Sequence, residues 1–349
     1  MNQDRNCLII RLSSLGDVIL ASAALQSQAL PEKVDWLVAA EYSDLLKNHP
    51  KIRKLHIFHR SKGFIGWVEL CRDLWTHHYD EIYDLHGSLR TRWMRVLFLF
   101  WGLKVRLSMR SPRKSPQWFK IDKQKLRLWG FFVLKRFWPR VFMPEAWVSR
   151  FSRRVGGTGT ERPDLRHLCQ EVVERKALFP VQKGVNWICV MPSSRWSGKK
   201  WPVSFYADLI GQMKIFPVVL GSSKDQEGLE LCRELEKRSV SFLSAVGLWD
   251  LPMTAWALSQ CPGGYLGGDT GLAHLAEAVG VPARIIFGPT HPEMGFGPWR
   301  SESRSIQLSL ACSPCSRNGR FCYRLGQPYH CLRGLSAQEV YLQMAGGRE

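Results

Sequence analysis

Gly264-Tyr265-Leu266-Gly267-Gly268-Asp269-Thr270-Gly271-Leu272-Ala273-His274 reads as a strand end, a glycine-rich turn and the opening of a helix. Apolar residues run to Leu266, the glycines permit a tight turn, and helical periodicity follows over 271–279. The first N–H groups of such a helix have no intrahelical acceptor and sit at its positive end, which suits a phosphate. Asp269 fits poorly beside a phosphate and is read as organising the loop or meeting a sugar hydroxyl. His274, one turn in, is equally well read as a packed core histidine.

The same unit of short apolar strand, turn and amphipathic helix recurs outward from this stretch. Strands are expected over 7–12, 36–40, 55–58 and 82–85, with helices over 18–29, 41–48, 64–76 and 89–100. The alternation breaks down beyond Arg110, in a basic and aromatic stretch to Gly157, and resumes with a strand over 187–191. Helices over 203–213, 226–238 and 252–260 then alternate with strands over 217–220, 241–246, 264–266 and 284–287. Such alternation implies parallel sheets with right-handed crossovers. The fold class expected is α/β, with two Rossmann-like doubly wound domains facing a cleft. The first domain is placed over 1–170, the second over 185–335, and a C-terminal helix over 336–349. At 349 residues the chain is long enough for two domains of about 150 residues.

Composition narrows the partners. The formal net charge of +19 favours an anionic one: nucleic acid, a phosphorylated small molecule or an anionic membrane surface. The opening MNQDRNCLIIRL lacks the layout of a secretory signal. The eight-residue apolar run over 96–103 falls well short of the about twenty residues a membrane span needs. Ten cysteines without an export signal then point to reduced thiols in the cytoplasm.

Ligands of doubly wound sheets bind at loops beyond the carboxyl ends of strands. Ser13-Ser14-Leu15-Gly16-Asp17 is the first such loop; on spacing alone Asp17 is most simply a helix cap. The loop lacks both G-x-G-x-x-G and the P-loop pattern, which disfavours a dehydrogenase and a P-loop kinase. Met191-Pro192-Ser193-Ser194-Arg195-Trp196-Ser197-Gly198-Lys199-Lys200-Trp201-Pro202 brings hydroxyls and two ammonium groups suited to a diphosphate, or is a solvated basic loop. In Gly221-Ser222-Ser223-Lys224-Asp225-Gln226-Glu227, acidic side chains either accept from ribose hydroxyls or, for Asp225, cap the next helix.

The ordered set Ser-Ser-Leu-Gly-Asp, Lys-Lys-Trp-Pro, Gly-Ser-Ser-Lys-Asp and Gly-Asp-Thr-Gly-Leu-Ala-His, followed by Ile286-Phe287-Gly288-Pro289-Thr290-His291-Pro292, resembles glycosyltransferase family 9. These are the ADP-heptose:lipopolysaccharide heptosyltransferases. The resemblance implies a GT-B fold and an inverting transfer from ADP-heptose to a lipopolysaccharide inner-core acceptor, with no cofactor required for catalysis. It implies Asp17 as general base and Lys199, two residues before Trp201, as the lysine that meets the donor phosphates. Ser193, Ser194, Asp225, Asp269, Thr270 and Gly271 match its donor-binding positions. A second lysine, Lys200, leaves open which ammonium contacts phosphate.

Residues 89–140 interleave Arg90, Arg92, Arg95, Arg106, Arg110, Arg113, Lys114 and Lys120 with Trp93, Trp101, Trp118 and Trp129. This mixture suits a phosphorylated lipid-sugar acceptor met by an enzyme peripheral at the cytoplasmic face of the inner membrane. Nucleic acid would also suit it, through phosphate contacts and base stacking, as would an ordinary solvated face with a buried aromatic stripe. Nucleic acid is the partner not expected, although a basic nucleic-acid-binding protein is the rival from another class. Within the enzyme class the rival is a sugar-nucleotide epimerase or hydrolase. Cys312, Cys315, Cys322 and Cys331, spaced C-x2-C-x6-C-x8-C, are candidate ligands for a structural zinc or iron. His330, beside Cys331, could stand in for one thiolate; the alternatives are reduced thiols packed in a small local core or disulfides formed only after purification.

Overall fold

The computed structural model describes residues 5–107, 115–170, 172, 184–324 and 326–346. Arg110, Arg113 and Lys114 lie outside the described residues. The chain forms two compact units: one up to Lys123 with Trp147–His167, the other from Gln124–Ala146 and from Leu168 onward.

The first unit begins with β1 (Cys7–Ile10), α1 (Leu15–Ala21), β2 (Val34–Ala39) and β3 (Ile52–Phe58). It continues through α2 (Gly63–Thr76), β4 (Glu81–Asp84), α3 (Leu89–Leu107) and β5 (Gln117–Lys120). After α4 (Lys125–Leu134), which belongs to the second unit, the chain returns for α5 (Trp147–Arg154). The sheet is parallel with order β3-β2-β1-β4-β5. Every residue of β1 is buried, as for an inner parallel strand covered on both faces. Leu8, Ile10, Leu37, Phe58, Trp67, Cys71, Met94 and Phe98 share one core. Each large apolar side chain so buried contributes about 1.5–3 kcal/mol.

The second unit runs β6 (Trp187–Met191), α6 (Val203–Met213), β7 (Phe216–Val219), α7 (Gln226–Lys237) and β8 (Leu243–Ser244). It continues with α8 (Leu251–Ser259), β9 (Tyr265–Gly268), α9 (Gly271–Ala278), β10 (Ala283–Ile286), β11 (Arg304–Ile306), α10 (His330–Arg333) and α11 (Ala337–Ala345). Its parallel sheet has the order β11-β10-β9-β6-β7-β8. Both units are thus doubly wound, as the strand–helix alternation predicts.

Local differences have identifiable causes. The helix expected over 18–29 starts earlier, at Leu15 after the N-cap Ser14, and gives way to a 3-10 turn over Ser22–Gln26. The helix expected over 41–48 is a 3-10 turn, Ala40–Leu45. The strand expected over 241–246 shrinks to two residues at the sheet edge. The stretch where alternation breaks down holds β5, α4 and α5. Residues 124–146 fall in the second unit because Leu128 and Phe131 of α4 bury themselves against Met294.

Candidate functional site

In each sheet the chain reverses its winding direction at one point, and the loops there define a crevice. In the first unit this point lies between β1 and β4, and in the second between β6 and β9.

Asp17 emerges from the loop after β1, at the third position of α1. Its Oδ2 accepts from Ser14 N at 3.0 Å and Ser14 Oγ at 2.8 Å, the reciprocal half of a helix cap. Arg11 Nη2 lies 2.8 Å from the same oxygen. Burial alone raises the carboxyl's pKa, but the Arg11 charge and the Ser14 hydrogen bonds outweigh it and hold Asp17 below its ordinary value. The carboxylate is therefore ionised at neutral pH. Arg11 is itself fixed: its Nη1 donates to Leu85 O at 2.6 Å, and its guanidinium lies over the Phe151 ring.

The loop after β4 supplies the other side of this crevice. Asp84 Oδ1 accepts from His86 N at 3.1 Å and Gly87 N at 2.7 Å, while Lys123 Nζ donates to Gly87 O at 3.0 Å. Burial, followed by the positive charges of Arg11 and Lys123, lowers the His86 imidazole to about 4. His86 is thus neutral at physiological pH. No sequence motif marks His86; the rule that ligands sit at reversal points marks its loop once the strand order is known.

The second unit joins the loops after β6 and β9. Lys199 Nζ donates to Asp269 Oδ2 at 2.6 Å, with side-chain exposures of 14% and 8%. Thr290 Oγ1 donates to the same oxygen at 3.0 Å. Thr270 is the N-cap of α9, yet its hydroxyl is 3.1 Å from Tyr265 OH and makes no cap bond. The first-turn amides from Gly271 onward therefore stay uncapped by that side chain, at the positive end of the helix.

The register of the lysine loop is set by Trp201. It is buried, packs edge-on against Tyr206, and its Nε1 donates to Leu335 O at 2.8 Å. Lys199 then meets Asp269, whereas Lys200 pairs with Glu227. The two ammonium groups serve different loops.

Ser193 donates to the Asp225 carboxylate, and Asp225 Oδ1 accepts from Gly228 N at 3.3 Å as the N-cap of α7. Asp225 is 7% exposed, so the capping reading of this residue is realised. Glu227, half-buried beside Lys200, is the more accessible acid of this loop. Ser194 Oγ accepts from Trp196 N at 3.4 Å. His274 is buried and stacked on Trp299, as a packed core histidine would be.

A sequence model of glycosyltransferase family 9 (heptosyltransferase) matches residues 67–322. The chain belongs to this family. As a family 9 enzyme it is 26% identical over 330 residues to lipopolysaccharide heptosyltransferase 1 of Pseudomonas aeruginosa, covering 88% of this chain and 85% of that one. Its fold resembles E. coli ADP-heptose lps heptosyltransferase II, with TM-score 0.68, 19% identity and 97% of each chain covered. It also resembles E. coli heptosyltransferase WaaC with ADP-2-deoxy-2-fluoro heptose: TM-score 0.63, 20% identity, 96% and 97% covered. The two parallel, helix-flanked sheets are those of the GT-B class. The family match includes Lys199, Asp225 and Asp269; Asp17 precedes it.

The cysteine-rich segment of this family 9 enzyme lies against the lysine loop. A Cβ on Gly198 would overlap the Gly319 carbonyl, and one on Gly319 would stand 3.0 Å from Lys199 Cγ. All four cysteines are free. Burial first, then the neighbouring Cys315, Cys312 and Cys322, push the Cys331 thiol up to about 12. Tyr329 N donates to Cys322 Sγ at 3.2 Å. Among the described residues no three His, Cys, Asp or Glu side chains are gathered closely enough to hold a metal ion. Among the same residues, no helix is long and apolar enough to cross a membrane.

Proposed function

We propose that this family 9 enzyme transfers a heptose from ADP-heptose, with inversion, to a hydroxyl of a lipopolysaccharide inner-core acceptor. The observation that carries the reading is the meeting of Lys199 with the Asp269-Thr270-Gly271 turn at the reversal point of the second sheet. An ammonium has three donors; Asp269 takes one at Oδ2, 2.6 Å away, and a second more loosely at its carbonyl oxygen, 3.5 Å away. The remaining donor, with the uncapped amides of α9, suits the charge that develops on a departing diphosphate. Ser193 and Ser194 line the same loop, and Asp225 or Glu227 is the acid for the ribose. Attack by the acceptor hydroxyl from the face opposite the diphosphate inverts C1. Asp17, held ionised and fixed by Arg11 and Ser14, takes the hydroxyl proton. Its low basicity fits a base that receives the proton only as the C1–oxygen bond forms.

The test is product analysis of purified enzyme with ADP-heptose, with and without a heptose-deficient core acceptor. Acceptor-dependent release of ADP and a heptosylated product support the reading. Free heptose or an isomerised sugar nucleotide, irrespective of acceptor, would replace it with hydrolysis or epimerisation.

Work at the cytoplasmic face of the inner membrane belongs to the same proposal, since a lipid-anchored acceptor is met there. The proposal also includes a structural zinc or iron on Cys312, Cys315, Cys322 and Cys331. Donor type and number suit such an ion, but among the described residues the four thiols are not gathered closely enough to hold one, so binding would have to draw the segment together. Such an ion would brace the loop behind Lys199 and take no part in transfer.

A further inference from the structure

The helix α3 has two apolar sides. Met94 and Phe98 on one side, with Leu97 and Trp101 at its margin, belong to the core of the first unit. The opposite side carries Leu89, Trp93, Val96, Phe100 and Leu103, exposed by 71%, 57%, 53%, 62% and 57%. Their spacing of four, three, four and three residues aligns them in one stripe along the helix. A surface helix of a water-soluble domain turns charged residues outward there. A contiguous exposed stripe of this size marks a surface built to meet something.

Charge identifies what it meets. Arg90 and Lys104 border the stripe on one side and Arg92 and Arg95 on the other, all exposed. From Leu85 to Ile121 the sequence holds nine Lys and Arg and not one Asp or Glu. A second copy of this chain, docked stripe to stripe, would bring cation against cation with no acid in the segment to pair them. An anionic bilayer answers both features: its acyl boundary accepts the rings and branched chains, and its phosphates meet the cations. The long Arg and Lys stems reach from an embedded stripe to the headgroups.

We infer that the outward face of α3 docks the enzyme on an anionic lipid bilayer, lying in the interface over a length of about 28 Å. The inference deepens the proposed reading, in which the acceptor is a membrane lipid. The helix begins just beyond Leu85, whose carbonyl holds Arg11 and through it Asp17. Docking therefore brings the base-bearing crevice to the headgroup layer, where the sugar of a lipid-anchored acceptor lies.

Flotation with phosphatidylcholine vesicles, with and without phosphatidylglycerol, tests this on the full chain. Wild type floats with the anionic vesicles and detaches as salt rises. Trp93→Ser with Phe100→Ser lowers the bound partition at least about tenfold, as does Arg92→Gln with Arg95→Gln and Lys104→Gln. Thermal stabilisation by ADP, unchanged in both variants, shows that the fold is retained. Transfer to a delipidated acceptor stays at the wild-type rate, while transfer to the same acceptor in vesicles falls. Wild type that stays with the unbound protein, or variants that float as well as wild type, overturns the inference. So does a wild-type dimer that the Trp93 and Phe100 changes dissociate without altering flotation. Absence of transfer to the delipidated acceptor by wild type would overturn the catalytic reading and leave the docking result standing.

Discussion

Lys199 and Asp269 are seventy residues apart in the chain, yet the ammonium and carboxylate meet at 2.6 Å, each largely shielded from water. The pair exists because β6 and β9 are neighbours in the sheet, so their following loops share one crevice. It holds the lysine beside the N-terminus of α9.

Lys199→Ala removes a charge-assisted donor and is expected to weaken ADP binding by about 1.5–3 kcal/mol and to slow transfer. Lys200→Ala, which frees only Glu227, should cost less in both. Calorimetric titration with ADP and steady-state rates check this. A larger loss from Lys200→Ala would reverse the assignment of the two ammonium groups.

Asp17→Asn should leave ADP binding intact and slow transfer by roughly two to four orders of magnitude. The native carboxyl ionises below its usual value, so the stability it contributes is present above about pH 4 and is lost as pH falls through the lowered value. The destabilisation caused by Asn should therefore shrink in acid. The rate profile should show no acid limb from Asp17 between pH 5 and 7. Near-normal turnover by the variant would reduce Asp17 to its capping role.

Glu277 in α9 is pushed up to about 7, by burial first, against hydrogen bonds from Arg300 N at 2.9 Å and Trp299 N at 3.0 Å. Its folded form holds a proton that the unfolded chain releases near pH 4, so its contribution to stability is lost as pH rises toward and through 7. Glu277→Gln retains an accepting oxygen and should raise the melting temperature above pH 7, with little effect at pH 5. Equal shifts at both values would show that ionisation of Glu277 is not the cause.

Gly198→Ala should weaken ADP binding without touching any ligand-binding side chain, because the new methyl displaces the Gly319 segment or the Lys199 loop. A melting-temperature loss of several degrees is expected alongside, as for overpacking of about 1–3 kcal/mol. Unchanged affinity and stability would mean that the two loops yield freely.

Protein purified under reducing conditions is expected to carry close to one zinc or iron per chain. Cys312→Ser with Cys315→Ser should lose both metal and thermal stability. Elemental analysis near zero, with all four thiols titratable in the native enzyme, would leave the cysteines as packed thiols.

The sequence by itself determined the two doubly wound halves and marked the loops proposed to carry the chemistry. Those depend on local periodicity and on glycine, proline and capping residues, which act within a few positions of one another. Strand order was beyond it: that β1 lies beside β4 and β6 beside β9 follows from long-range pairing. Without that order His86 has no reason to be noticed, and Lys199 cannot be separated from Lys200. The Trp201 indole decides between the lysines by burying itself against Tyr206 and reaching Leu335. Asp225 was legible as a cap or a ligand; its burial with Ser193 and Gly228 is a packing outcome. The basic, aromatic character of α3 is plain in its composition, but which apolar face enters the core was decided only when Met94 and Phe98 packed inward and left Trp93 and Phe100 outside.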